Sequence, residues 1–326
     1  MSKIKIKSGT GFAGLKIQLM KYRQIYMVCD RNVSEYARKI STSYPLLQID
    51  ATEERKNMDQ VLEICRWLLS QGADRGAMVL AIGGGVTTDL VGFAASIYMR
   101  GVRYANVPTT LLGQVDAGIG GKTGVNFQSY KNMLGVIRQP EFTWIVSDTL
   151  KTLPPKQFYS GVAELLKTFI IKDPHSYEDA VSVLSTTKEL DSLKPLIARA
   201  AKIKASIVSR DENEKGLRRV LNLGHTWGHA IEWYQRTHPG TGDFSHGEAV
   251  AIGIIQAAVK SEELKLASPG LSDKLKADFA ACGLPTQLPF PIEELQEAMH
   301  KDKKSEDSAI NYVLIRRIGK VTVKKI

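Results

Sequence analysis

Cysteine is scarce. Cys29, Cys65 and Cys282 are the three in 326 residues, and none has a near neighbour in sequence. That spacing argues against a disulfide framework and fits a reducing compartment. No run of about 18 apolar residues occurs, so no membrane-spanning helix is expected. Residues 1–7 are basic and polar and lack the apolar stretch of a secretory signal. Zinc-finger spacing, an aromatic RNA-binding signature, internal repeats, low-complexity segments and long linkers are all missing. A cytoplasmic globular protein is expected.

Acidic residues are fewer than basic ones, 34 against 44, which leaves a net charge of +10. A basic excess suits nucleic acid, an acidic membrane surface or an anionic small substrate. Most of it is dispersed, with local clusters at Lys202/Lys204, Arg218/Arg219, Lys301/Lys303/Lys304 and Lys324/Lys325. A solvated surface accounts for most such positions, and nucleic acid is the weakest of the three readings. With 43% hydrophobic and 24% charged residues a sizeable core can be buried. The length suggests two domains.

The first half alternates β-rich runs with helical stretches. Strands are expected at 24–29, 46–49, 77–82, 102–107 and 142–146, and helices at 34–41, 54–70 and from Thr87, with a helical start at Thr109-Thr110. This alternation implies an α/β domain with a parallel sheet covered by helices on both faces. After Leu153-Pro154-Pro155 the texture becomes mainly helical, at 162–171, 193–210, 225–234, 247–263, 272–281 and 292–300. A strand pair follows at 311–315 and 320–324. The domains are placed at 1–152 and 153–326.

The strand at 77–82 runs directly into Gly83-Gly84-Gly85-Val86 and a helix. Glycines permit close backbone approach, and a helix N-terminus offers free amides to an anion. The spacing is not the G-x-G-x-x-G fingerprint. Asp30, at the end of the first strand, is placed to accept from ribose hydroxyls, though an acid there is equally an ordinary turn former. Only six histidines occur, and three lie in two short segments: His225 and His229, four apart on one helical face, and His246 at the start of another helix. The H-E-x-x-H protease motif is excluded, because Thr226 stands where its glutamate belongs. An open catalytic zinc site takes about three protein ligands, often histidines with a carboxylate. Glu164, Glu232 and Glu248 are the candidates for that carboxylate, and spacing alone does not choose among them.

Taken together, several blocks resemble the 3-dehydroquinate synthase family. They are Gly83-Gly84-Gly85-Val86-x-x-Asp89, Pro108-Thr109-Thr110-Leu111-Leu112-x-Gln114-Val115-Asp116-Ala117, Gly120-Gly121-Lys122-Thr123-Gly124-Val125-Asn126, Lys131-Asn132, residues 148–154, Gly161-x-Ala163-Glu164-x-x-Lys167, the two histidine segments and Asp302-Lys303-Lys304. They run in family order over residues 24–304. The resemblance implies an N-terminal nucleotide-binding parallel-sheet domain, a mainly helical C-terminal domain, and an active site between them. It implies metal ligands Glu164, His225 and His246 for zinc or cobalt, and NAD contacts at Asp30, Glu53, Lys56, Gly84, Gly85, Val86, Asp89, Thr109, Thr110, Lys122, Lys131, Thr152 and Leu153. Substrate and catalytic positions would be Asp116, Lys122, Asn132, Lys167, Lys204, Arg218, Asn222, His229 and Lys303, with Lys304 as the neighbouring alternative. Arg100 would reach a substrate phosphate across a homodimer contact.

The implied reaction converts 3-deoxy-D-arabino-heptulosonate 7-phosphate to 3-dehydroquinate and phosphate, in the shikimate pathway to aromatic amino acids. Its stages are transient oxidation by NAD, phosphate elimination, re-reduction and an intramolecular aldol closure, with no net redox. Arg218 and Lys204 suit the substrate carboxylate, and Lys122, Asn132 and Arg100 its phosphate. Taken singly, each residue has an ordinary structural reading: a solvated lysine, a turn Asp116 or Asn126, a punctuating Gly120-Gly121. Only the ensemble in register outweighs these. Gln157 departs from the pattern, standing where the family often has an acid. The chain also reaches its first nucleotide-binding strand early, so a lighter N-terminal β layer is expected at the dimer contact. The competing readings are another sugar phosphate cyclase such as 2-deoxy-scyllo-inosose synthase, a metal-dependent oxidoreductase of the glycerol dehydrogenase kind, and a non-enzymatic nucleotide-binding scaffold.

Overall fold

The computed structural model describes residues 4–9, 11–128, 130–187, 189–295 and 311–326. It divides into two compact units, Met1–Leu153 with Ile197–Asn213, and Pro154–Leu196 with Glu214–Ile326. The sequence reading divides the chain once, after residue 152. By packing, the stretch from Ile197 to Asn213 goes with the first unit.

The first unit contains β1 (Ile6–Ser8), α1 (Ala13–Leu19), β2 (Ile25–Asp30), α2 (Ser34–Ile40), β3 (Leu46–Ile49), α3 (Met58–Ser70), β4 (Met78–Gly83), α4 (Gly85–Ile97), β5 (Arg103–Pro108), β6 (Lys122–Phe127), β7 (Tyr130–Ile137) and β8 (Thr143–Ile145). Six strands form one sheet in the order β1-β8-β5-β4-β2-β3, and every neighbouring pair is parallel. The strands are apolar on both faces because both are covered, as a parallel sheet requires. Along β4, Val79 and Ala81 join the cluster formed with Val61, Ile64 and Leu68 of α3 and Leu90 and Val91 of α4. Met78, Leu80 and Ile82 point the other way, into the cluster with Leu15, Leu19, Tyr36 and Ile40 of α1 and α2. Period-two alternation thus fills two cores from one strand. Each buried Val, Leu, Ile or Met side chain among them contributes roughly 1.5–3 kcal/mol. The antiparallel hairpin β6/β7 stands outside this sheet and was not expected from the sequence, nor were β1 and α1.

The second unit is mainly helical: α5 (Pro155–Lys172), α6 (Pro174–Ser185), the first part of α7 (Leu190–Arg210), α8 (His225–Thr237), α9 (His246–Glu263), α10 (Leu271–Ala281), and the hairpin β9 (Asn311–Arg317) and β10 (Lys320–Lys325). Helix α5 starts seven residues before the expected position 162, because Pro155 sits at the first helical position, where a missing N–H costs nothing. Of the helix expected at 292–300, the described part is one short turn, Ile292–Leu295. The remainder lies outside the described residues, as do Lys303 and Lys304. The hairpin β9/β10 is tied to the helices: Gly319 N donates to Ile170 O at 2.8 Å, and Ile315 N donates to Ser261 Oγ at 2.9 Å. Among the described residues no helix is long and apolar enough to cross a membrane.

Candidate active site

All strands of the large sheet run the same way, so Asp30, Gly83 and Pro108 lie together at its carboxyl edge, where ligands bind in open α/β sheets. The turn from β4 to α4 is tight. A methyl group on Gly83 would run into the Thr87 side chain, and one on Gly84 would lie 3.0 Å from Thr110 Cγ2. Glycine is needed there for room, and the first amides of α4 are left to face an anion. Gln114 is fully buried and holds this edge together. Its Nε2 donates to Pro108 O, Val146 O and Thr149 Oγ1, each at 3.1 Å. Asp30 accepts from Asn32 N at 2.9 Å. Thr152 Oγ1 lies 3.0 Å from the hydroxyl of Tyr36.

A charged network lies beside that turn. Lys56, only 5% exposed, places its ammonium 2.5 Å from Asp89 Oδ2 and 2.6 Å from Asn132 Oδ1. Burial raises the Asp89 carboxyl to about 6 against the pull of Lys56. Asn126 braces the same group: its side chain donates to Glu53 Oε1 at 2.9 Å and accepts from Asn132 N at 2.9 Å. Lys204 donates to Asp116 Oδ1 at 2.5 Å and to Asp116 O at 2.9 Å. Lys122 and Lys131 are exposed on the hairpin, and Arg100 is exposed on the turn Tyr98–Arg100 with φ of 65°.

In the second unit three helices meet at one buried carboxylate. Glu164, in the middle of α5, has no exposed surface. Its Oε1 has no hydrogen bond that meets strict geometry among the described residues and faces the two imidazoles. His225 Nε2 lies 3.8 Å and His246 Nε2 3.6 Å from Glu164 Oε1, and one ligand atom from each of the three lies within 4.8 Å of the others. Zinc bonds of about 2.0–2.2 Å in a tetrahedron put ligand atoms roughly 3.4 Å apart, so this set fits a divalent cation. Lys167 pairs with Glu164 Oε2 from one turn along. Burial alone would push Glu164 up. The Lys167 ammonium, His246 and His225 outweigh burial and hold it well below the usual carboxylate range. Burial lowers His225 to about 3. Burial also opposes charge on His246, but Glu164 and Glu232 prevail and raise it to about 10.

The other two carboxylates separate by geometry. Glu248 closes a capping box: its Oε2 accepts from Ser245 N at 2.7 Å, and its own N–H donates to Ser245 Oγ. Glu232 Oε2 faces His246 Nδ1 at 3.5 Å, behind the imidazole. His229 is exposed, with its ring centre 5.4 Å from that of His225 and 6.4 Å from that of His246. Buried Arg218 and exposed Asn222 lie on the turn Leu217–Asn222 that leads into α8. Close backbone contact sets these positions. Gly224 adopts φ of 79°, and side chains on Gly224 or Gly253 would each strike the facing helix backbone.

The family model described as 3-dehydroquinate synthase N-terminal matches residues 46–160, and the one described as 3-dehydroquinate synthase C-terminal matches residues 161–305. The chain belongs to the 3-dehydroquinate synthase family. A 3-dehydroquinate synthase from Acidithiobacillus ferrooxidans is 40% identical over 333 residues, covering 98% of this chain and 90% of the relative. One from Legionella pneumophila is 39% identical, over 91% and 82% respectively. Among solved structures, a 2-epi-5-epi-valiolone synthase from Streptomyces hygroscopicus with NAD+ and Zn2+ bound superposes with a TM-score of 0.89 at 28% identity, covering 100% of this chain and 93% of that one. A 2-deoxy-scyllo-inosose synthase complexed with carbaglucose-6-phosphate, NAD+ and Co2+ gives 0.85 at 26%, over 98% and 93%. A probable glycerol dehydrogenase from Sinorhizobium meliloti shares the fold at 15% identity, with a TM-score of 0.61 over 87% and 82%. The family's parallel-sheet domain and helical domain are the architecture described above.

Gln114, Asn126 and Tyr36 also organise the site and were not among the expected functional residues. The first two stand inside the quoted family blocks, and that was the available signal. Tyr36 had none.

Proposed function

We propose that this member of the 3-dehydroquinate synthase family converts 3-deoxy-D-arabino-heptulosonate 7-phosphate to 3-dehydroquinate and phosphate, using NAD and one divalent zinc or cobalt ion. The observation that supports the metal requirement is the convergence of Glu164, His225 and His246 on a fully buried carboxylate. Glu164 Oε1, His225 Nε2 and His246 Nε2 would hold the ion. When bound, the ion supplies Lewis-acid polarisation of a substrate hydroxyl, and NAD supplies a reversible hydride acceptor.

The chain's own groups do the rest. Lys167 keeps Glu164 ionised inside the protein. His229, exposed beside His225, takes and returns the hydroxyl proton at a ring nitrogen. Arg218 holds the substrate carboxylate in its guanidinium fork. Lys122, Asn132 and, across a homodimer contact, Arg100 receive the phosphate. Asp30, Glu53 and Lys56, the Gly84-Gly85-Val86 turn with Asp89, Thr109 and Thr110, Lys131, and Thr152 with Leu153 bind NAD. Lys56 also orders Asp89 and Asn132. The enzyme is assigned to the cytoplasm.

Phosphate release from the heptulosonate, measured with and without a chelator, tests the proposal. Activity is expected to vanish on metal removal and return with zinc or cobalt, without steady accumulation of NADH. Turnover that ignores the chelator would remove the metal from the mechanism, and stoichiometric NADH would favour a dehydrogenase.

A further inference from the structure

His225 and His246 both present Nε2 toward Glu164, yet their Nδ1 atoms face different partners. His225 Nδ1 lies 3.1 Å from the carbonyl oxygen of Leu223, two residues back in its own chain. His246 opens α9, and among the described residues no backbone carbonyl takes that place. Its Nδ1 lies 3.5 Å from Glu232 Oε2. Glu232 is 8% exposed and sits on α8 seven residues after His225, so one helix carries both a ligand and the partner of the other ligand. Burying a carboxylate is costly unless a donor meets it, and an imidazole N–H is a donor of the right kind.

We infer that Glu232 is the positioning residue of His246: it accepts the Nδ1 proton, fixes the tautomer and the ring plane, and leaves the Nε2 lone pair for the cation. This inference rests on the metal centre proposed above. Glu232 cannot be a fourth ligand in this arrangement, because it lies behind the ring, on the side away from Nε2. A carboxylate behind a ligating histidine also makes the ring a stronger donor than a backbone carbonyl does. The two histidines are therefore unequal: His246 is the better electron donor, and its orientation depends on a side chain that substitution can remove.

The test uses the full chain, stripped of metal, with zinc affinity read by competition against a chromophoric chelator. The Glu232→Ala variant is expected to bind zinc about 10–100-fold more weakly than the parent. Its cobalt complex should show altered ligand-field bands. The Glu232→Gln variant should fall between the two, because its amide oxygen accepts the same N–H without the charge. The melting temperature of the metal-free proteins reports any loss of fold. If Glu232→Ala does not fold, the comparison of Glu232→Gln with the parent decides. Zinc affinity and cobalt spectrum both indistinguishable from the parent would overturn the inference, as would a weakened affinity with a parental cobalt spectrum and a lowered metal-free melting temperature. A parent that itself binds zinc no better than Glu164→Gln would instead remove the metal centre and leave Glu232 without a role.

Discussion

At the residue scale the proposed metal centre should exchange a proton for an ion. In the metal-free protein His246 holds its proton up to about pH 10, while His225, lowered to about 3, is already neutral. Loading zinc at neutral pH should therefore release roughly one proton, from His246, and affinity should rise ~10-fold per pH unit below pH 10. Calorimetry in two buffers of different ionisation enthalpy measures the number, and a value of zero would contradict the assignment. The same shifts bear on stability without metal, with opposite signs. The raised His246 contributes stability that is complete below its unfolded pKa of about 6.5 and is lost as pH rises toward 10. The lowered His225 contributes above about 6.5 and loses it as pH falls toward 3. Arg218 provides the second residue-scale prediction. Replacing it with alanine should raise KM for the acidic heptulosonate by roughly 10- to 100-fold, the worth of a charge-assisted pair. KM for an uncharged hexose phosphate should change little. Equal effects on both would deny Arg218 the carboxylate.

At the element scale, the centre depends on how closely three helix backbones approach. Gly253 of α9 packs against the Gly224 backbone before α8, and Gly247 against the Ser160 backbone of α5. These contacts bring Glu164, His225 and His246 within reach of one cation. The Gly253→Ala variant should lose about 1–3 kcal/mol of stability through overpacking. It should also bind zinc more weakly, because α8 is pushed off its seat. Thermal melting and chelator competition check the two effects, and unchanged zinc affinity would break the link between helix spacing and the centre. The sequence makes the two proposed histidine ligands legible, since His225 and His246 open two helices, whereas the carboxylate stays open among three. It does not make the spacing legible, because a glycine's neighbour across the interface leaves no local pattern. Five strands of the large sheet could be read from their apolar runs. The edge strand β1 could not, being only three residues long. Hairpin β6/β7 hides for another reason: the first half of β7 is exposed, and only Leu134 and Val136 turn toward the core, too short an alternation to mark a strand. Among the carboxylates, Glu164, Glu232 and Glu248 look alike until a capping box claims one and an imidazole another.

At the scale of the whole molecule the homodimer is the expectation to measure. Light scattering should give twice the 36.0 kDa of the chain. If Arg100 serves a second copy, mixing Arg100→Ala with a Glu164→Gln variant, each nearly inactive alone, should restore part of the activity through mixed dimers. A fully active monomer would assign Arg100 to the surface.

The β9/β10 hairpin has a consequence for when the centre can form. Its turn is hydrogen-bonded to α5 through Gly319 and Ile170, and β9 is held to α9 through Ile315 and Ser261. Those two helices carry Glu164 and His246. The brace is translated more than sixty residues after the final ligand, so on the ribosome the ligands emerge long before the frame that aligns them. If the proposed centre holds zinc, its capture should await the hairpin, and a nascent chain stalled before residue 311 should retain zinc poorly.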